Sequence, residues 1–293
     1  MATRQLMLPG DIVKKSNELA RAAWAVESVL EPRIVALTAA RVRVTDKDFQ
    51  TYEIPTTEIL PSGNGEDYAK LKQACRRLLT SAIDIPDKEG DGWTLYSVFS
   101  MCRHDPKRMV VQTRFDPGMK SHYLELAGRF TEYNLFEFLM LPTTYSQRLF
   151  EVLKSWDDQP ERIEPMDALF KMLGVPLSMQ RYPDFRRKIL QPAHAYITEK
   201  TSLRYQWEPA KLQKGRGYDA IRFVFTEARQ ATVAKKKRAK AEEDQSAKNN
   251  RLMRMATNCA MEHHAARRQC TPRDGDEMCT LCKRLVSPPK DKQ

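Results

Sequence analysis

Tyr182-Pro-Asp-Phe-Arg-Arg-Lys-Ile-Leu-Gln-Pro-Ala-His-Ala-Tyr-Ile197, followed by Lys214-Gly-Arg216 and Ile221-Arg-Phe-Val-Phe225, reads as a helix with a basic outer face, a basic turn and a strand. At about 100° per residue, Phe185, Ile189, Ala193 and Tyr196 gather on one side, with Ile197 beside them. Arg187, Gln191 and His194 lie opposite, flanked by Lys188. Arg187 and Gln191 are one turn apart and project together. In a major groove, arginine can bond bidentately to guanine and glutamine to adenine. Arg186 falls nearer the apolar side and is expected to reach a phosphate instead. Pro192 predicts a kink and one missing backbone hydrogen bond.

Helix, basic turn and strand in this order match a recognition helix and its wing. The stretch therefore predicts a winged-helix DNA-binding domain, and its rival is an amphipathic surface helix with a solvated basic face. A net charge of +11 over 293 residues suits a polyanionic partner, and 41% apolar residues suffice for two cores. No apolar run approaches the ~20 residues of a spanning helix, and the N-terminus shows no signal-peptide pattern. A cytoplasmic protein without a membrane partner is expected, its six cysteines being thiols or metal ligands rather than disulfides.

The rest of the chain divides around this stretch. Helical patterns run from Ser16 and from Glu31-Pro32, and Thr51–Pro55 reads as a strand. A helix from Glu66 to Ala82 turns Tyr68, Leu71, Cys75, Leu78 and Leu79 inward and Lys70, Gln73 and Arg77 outward. Trp93–Cys102 and Met109–Phe115 read as a hairpin whose strands offer an edge or a face for self-pairing. Residues 120–156 read as helical, broken at Pro142, and Pro165–Leu173 as a helix closed by Gly174. Strands at Thr201–Pro209 and Asp219–Thr226 flank the basic turn. The second half repeats the order of the first. The fold class is thus α+β and helix-rich, with two tandem winged-helix domains followed by a charged, candidate zinc-binding tail. The boundaries are an arm at 1–15, a first domain at 16–140, a second at 141–227, a basic linker at 228–258 and a Cys/His-rich tail at 259–293.

Asn17-Glu-Leu-Ala20, Glu31-Pro-Arg-Ile34, Ser146-Gln-Arg-Leu-Phe150, Tyr182-Pro-Asp-Phe-Arg-Arg187, Ile189-Leu-Gln-Pro-Ala193 and Lys214-Gly-Arg216 together resemble the iteron-binding plasmid replication initiators, the Rep proteins. The likeness covers roughly residues 15–226, and it rests on the order and spacing of these stretches. It implies two related winged-helix domains that bind direct repeats in double-stranded origin DNA. It further implies melting of adjacent AT-rich DNA and recruitment of the host initiator and replicative helicase. Monomers would bind iterons, and homodimers formed through the first domain would repress the protein's own promoter. By the same likeness, base contacts fall to Arg181 and Arg187. Expected DNA contacts are then Arg181, Arg186, Arg187, Lys188, Gln191, Lys214 and Arg216 in the second domain and Lys70, Gln73 and Arg77 in the first.

The resemblance does not reach the tail. Cys279-Thr-Leu-Cys282 has the spacing of a zinc knuckle. Cys259 with His263 supplies a second pair, and His264 and Cys270 are alternates. Cys75 and Cys102 fall within predicted elements and read as core. Catalysis finds no support: there is no Walker A loop, no dinucleotide fingerprint and no paired-histidine nuclease site with a nucleophilic tyrosine. The expectation is a DNA-binding initiator that is not an enzyme. Its rivals are a winged-helix transcriptional regulator and an interaction module for an acidic partner.

Overall fold

The computed structural model describes residues 12–226 except 44, 61–64, 87–92, 127–129 and 213–216. Its first half opens with β1 (Ile12–Ser16), α1 (Asn17–Arg21), α2 (Leu30–Ala39), β2 (Tyr52–Pro55), α3 (Thr56–Ile59) and α4 (Gly65–Thr80). Then come β3 (Ala82–Pro86), β4 (Trp93–Ser97), β5 (Phe99–Asp105), β6 (Val110–Phe115), α5 (Lys120–Tyr123), β7 (Phe130–Asn134) and α6 (Leu135–Leu139). Helix α7 (Thr144–Lys154) leads into β8 (Glu161–Pro165), α8 (Met166–Leu173), α9 (Tyr182–Phe185), a π-helical turn (Arg186–Leu190), α10 (Gln191–Lys200), β9 (Tyr205–Ala210) and β10 (Ala220–Phe225).

Two three-stranded antiparallel sheets carry the same order. The first is β2-β6-β5 and the second β8-β10-β9, so in each the last strand lies between the other two. Each sheet's first strand is followed by helices and then by the hairpin of its other two strands, the winged-helix order twice over, with the two-stranded β3-β4 sheet standing between α4 and the hairpin in the first half. In β10, Ile221, Phe223 and Phe225 are buried, while Arg222 on the outer face bonds Glu161 of β8 and Glu208 of β9. The central strand is thus fixed to both neighbours by packing on one face and by charge on the other.

Several elements differ from the sequence reading. Residues 12–15, assigned to an arm, form most of β1 and pair with β7. Within the run read as helical, β7 alternates buried Thr131 and Tyr133 with exposed Phe130 and Glu132, a period of two. The segment Trp93–Cys102 is two strands split at Val98: β4 pairs with the unforeseen β3, and β5 with β6. Strand β6 has partners on both sides and offers no edge for self-pairing. Strand β8 was not foreseen; of its five residues only Glu164 is buried. Pro192 is accommodated by the π-helical turn before it, where the Gln191 amide reaches the carbonyl of Arg186, five residues back. Gly174 ends α8 as read, with φ +61°, and a Cβ there would stand 2.8 Å from the Ala25 Cα.

Helix α7 joins the two halves. Thr143 and Ser146 form a capping box at its start, and Leu149, Phe150, Val152 and Leu153 are fully buried. Between them sits a buried charged cluster. Glu151 accepts hydrogen bonds from Lys15 of β1, from the Tyr133 hydroxyl of β7 at 2.6 Å and from Arg148 at 2.5 Å. Arg148 also donates to the carbonyls of Ala20, Ala22 and Met172. Burial alone would raise the Glu151 carboxyl, but Lys15 and Arg148 outweigh it and hold it below the usual carboxylate range.

A depressed carboxyl pKa adds stability above the unfolded value of ~4.3, and that stability fades as pH falls toward the folded value. Glu151→Gln leaves two buried cations with no carboxylate, so it should lower unfolding stability by ~3–5 kcal/mol. Urea titrations at pH 7 and pH 4 check this. The wild type should lose stability between the two, and the variant should lose less.

Candidate nucleic-acid interface

The helix running from Tyr182 to Lys200 builds its inner face from Phe185, Ile189, Leu190, Ala193 and Ile197, all buried, with Tyr196 half-buried. Phe185 meets Phe170 of α8 edge-on at 4.9 Å, which seats the helix on its neighbour. Leu190, within the π-helical turn, is buried on the face it shares with Ala193 and Ile197, three and seven residues on. The same turn carries Arg186, Arg187 and Lys188, and all three are exposed. Arg186 thus stands in solvent with its neighbours rather than toward the apolar side. The Arg187 side chain is more open than that of Lys188, 74% exposed against 44%.

Asp184 bridges Arg187 at 3.4 Å and Lys188 at 3.2 Å, one turn back on the helix. Its hydrogen bond with Lys188 holds its carboxyl below the usual range. These exposed pairs are weak and leave both cations accessible to a phosphate or a base. Arg181 is exposed at the N-cap of α9, and Gln191 is exposed one turn after Arg187. Beyond Gln191 the exposed positions become Ala195 and Glu199. His194, placed on the outer face by the helical wheel, turns its ring edge onto Tyr205 at 4.8 Å, and burial lowers its pKa. The basic surface is therefore confined to the first half of the helix.

The wing is held to that half. Tyr182 packs against Tyr218 with ring centroids 5.3 Å apart, and Lys211 lies over the Tyr218 ring at 5.8 Å. Tyr218 and Lys211 were not singled out from sequence, since no local pattern connects them to Tyr182. Lys214 and Arg216, at the tip, lie outside the described residues.

In the first half of the chain, α4 holds the equivalent place. Lys70 and Gln73 are exposed as expected, and Lys72 and Arg76 join them. A fuller wheel of α4 would have found Lys72 and Arg76, which are one turn apart. Arg77 does not join this face. It bonds Glu27 at 2.7 Å, Glu31 at 3.2 Å and the Ala25 carbonyl at 3.2 Å. Glu31 is fully buried, and burial raises its carboxyl despite Arg77. Arg77 is the counter-charge that this carboxylate requires. On the wing of this half, Arg103 and Lys107 are exposed, whereas Arg108 is taken up by two bonds to Glu53.

Cys259, His263, His264, Cys270, Cys279 and Cys282 all lie outside the described residues. Among the described residues, no group of three or more His, Cys, Asp or Glu side chains could hold a metal, and no helix is long and apolar enough to cross a membrane.

Comparison with known proteins agrees with this geometry. Residues 12–154 match the family model described as initiator replication protein, WH1, and residues 165–225 match that of initiator Rep protein, WH2. Among solved structures, the chain is similar to the Pi initiator protein in complex with iteron DNA. The TM-score is 0.59 at 18% identity, covering 75% of this chain and 98% of that one.

The two kinds of contact on the second helix can be separated. Arg187→Ala should cost ~1–3 kcal/mol in duplex binding and relax preference at one base position. Lys188→Ala should weaken all duplexes alike and reduce the salt slope by ~1. Binding titrations against single-base variants, at several salt concentrations, check both. Uniform loss in both variants would place Arg187 on a phosphate.

Proposed function

The chain belongs to the initiator replication protein family, and we propose that it is a plasmid replication initiator that binds short repeated sequences, the iterons, at its origin. The observation that carries this reading is the winged-helix strand order occurring twice, the second time with three consecutive exposed cations on its helix. One such domain suits many regulators. Two on one chain suit a long site on a single duplex.

In this reading Arg181, Arg187 and Gln191 meet base edges in one major groove. Arg186, Lys188, Lys214 and Arg216 meet phosphates and set the register, and Lys70, Lys72, Gln73 and Arg76 hold the backbone from the first domain. Two domains on one duplex strain it, which favours opening at a flexible AT-rich neighbour. The protein acts in the bacterial cytoplasm by binding, without catalysis. It brings the host initiator and replicative helicase to the opened strands and represses its own promoter. An origin-dependent transformation assay tests this: a plasmid carrying the DNA flanking the gene should be maintained only with the intact chain. Specific binding without maintenance would leave a transcriptional regulator.

Self-association is assigned to the first domain. Strand β4 exposes Trp93 at 68% and Leu95 at 52% on one face, and large apolar side chains so exposed favour a partner surface. The Trp93→Glu/Leu95→Glu variant should sediment as a monomer at concentrations where the wild type is dimeric. An unchanged dimer would move the contact elsewhere. In the tail, Cys279 and Cys282 with Cys259 and His263 would hold one zinc ion, since thiolate and imidazole ligands suit it. Metal analysis of reduced protein should find zinc at one per chain; its absence leaves a thiol-bearing segment.

A further inference from the structure

The basic half of the second helix carries one acid. From Arg181 to Thr198 the sequence holds the cations Arg181, Arg186, Arg187 and Lys188 and a single carboxylate, Asp184. Asp184 lies in the first turn of α9, where the helix dipole favours a negative charge. A side chain there meets those three and four residues further on. Arg187 and Lys188 occupy these two positions, and both reach the same oxygen, Oδ1, at 3.4 Å and 3.2 Å. The hydrogen bond with Lys188, then the charges of Lys188, Arg187 and Arg181, hold the carboxyl below its usual range, so it is ionised at neutral pH.

Exposed pairs of this kind add little to the stability of the fold. Their effect falls on binding, and in two ways. Arg187 is a long side chain with several rotors. A tether on one side of its guanidinium reduces the freedom that is lost when it bonds a base. The carboxylate also repels phosphate. When the helix rests on phosphates alone, the gain from each cation is set against that repulsion. When Arg187 bonds a guanine it meets a neutral base edge, and Asp184 remains beside it as counter-charge. The repulsion therefore weighs more heavily on complexes with the wrong sequence.

We propose that Asp184 is a positioning residue for Arg187 and the group that lowers the affinity of this helix for DNA of the wrong sequence. This role rests on the reading of Arg187 as the residue that meets a guanine.

Binding titrations of the full chain test it. The probes are a duplex carrying one repeat from the DNA flanking the gene, its single-base variants and a scrambled duplex, each at several salt concentrations. Asp184→Asn should bind the scrambled duplex about two- to fivefold more tightly, the scale of one exposed charge pair. Its salt dependence should steepen. Its preference for guanine at the Arg187 position should fall about five- to tenfold, the lower range for a bidentate pair. Asp184→Glu keeps the charge and should retain the wild-type affinity for the scrambled duplex. In Arg187→Ala, adding Asp184→Asn should change the preference at that position no further.

An acid that only stabilised the helix would act in the opposite sense, and Asp184→Asn would then weaken binding to every duplex alike. That result overturns the proposal, as does an unchanged preference for guanine. A lost preference for cytosine at another position, present also when Arg187 is alanine, would mean that the carboxylate reads a base itself, and it overturns the proposal too. A wild type without sequence preference would overturn the initiator reading as well, whereas the other results leave that reading intact.

Discussion

Glu151 is a carboxylate with no access to water, and the arrangement of the chain around it follows from what that requires. A buried charge must be paired and hydrogen-bonded. Here Lys15 comes from the first strand, Tyr133 from the strand beside it and Arg148 from the preceding turn of the same helix. Arg148 then satisfies carbonyls on both sides of the domain junction, at Ala20 and Ala22 and at Met172. A cluster of this kind tolerates the loss of no single partner, because each charge is supportable only while the others are present. It fixes α7 against β1 and β7 on one side and against α8 on the other. Helix α8 in turn seats the basic helix through Phe170 and Phe185, so the placement of Arg187 depends on packing that begins at Glu151.

The two winged-helix units use the same topology for different ends. In the second, the helix exposes cations at consecutive positions because a π-helical turn carries all three. The turn is coupled to Pro192, which has no amide proton to continue the α-helical ladder. In the first, α4 exposes cations at α-helical spacing and turns Arg77 inward to Glu31. A closely spaced basic turn suits close approach to a groove, while cations spread along a helix suit the backbone.

Both recognition helices were legible in the sequence because each alternates apolar and charged residues at the helical period. Phe185, Ile189, Ala193 and Ile197 are buried as the wheel placed them. Arg77 escaped the wheel because its partner Glu31 is 46 residues away, and a wheel contains no tertiary neighbour. His194 escaped for the same reason, through Tyr205. Strand β8 left no apolar pattern, since an edge strand with one buried residue can be almost wholly charged. Strand β7 was concealed within a longer run whose average character is helical. The boundary read at 140/141 falls just before α7, whose side chains serve both halves. The π-helical turn was visible only as a proline in an unfavourable place.

The central claim is that both domains grip one duplex while only the second reads its bases. Hydroxyl-radical footprinting together with guanine methylation interference, on a DNA fragment carrying a single repeat, tests it most directly. The account predicts two protected stretches of backbone, separated by about one helical turn of ~10 base pairs. Methylation interference should be confined to the stretch contacted by the second domain. One protected stretch, or methylation interference in both, would contradict it.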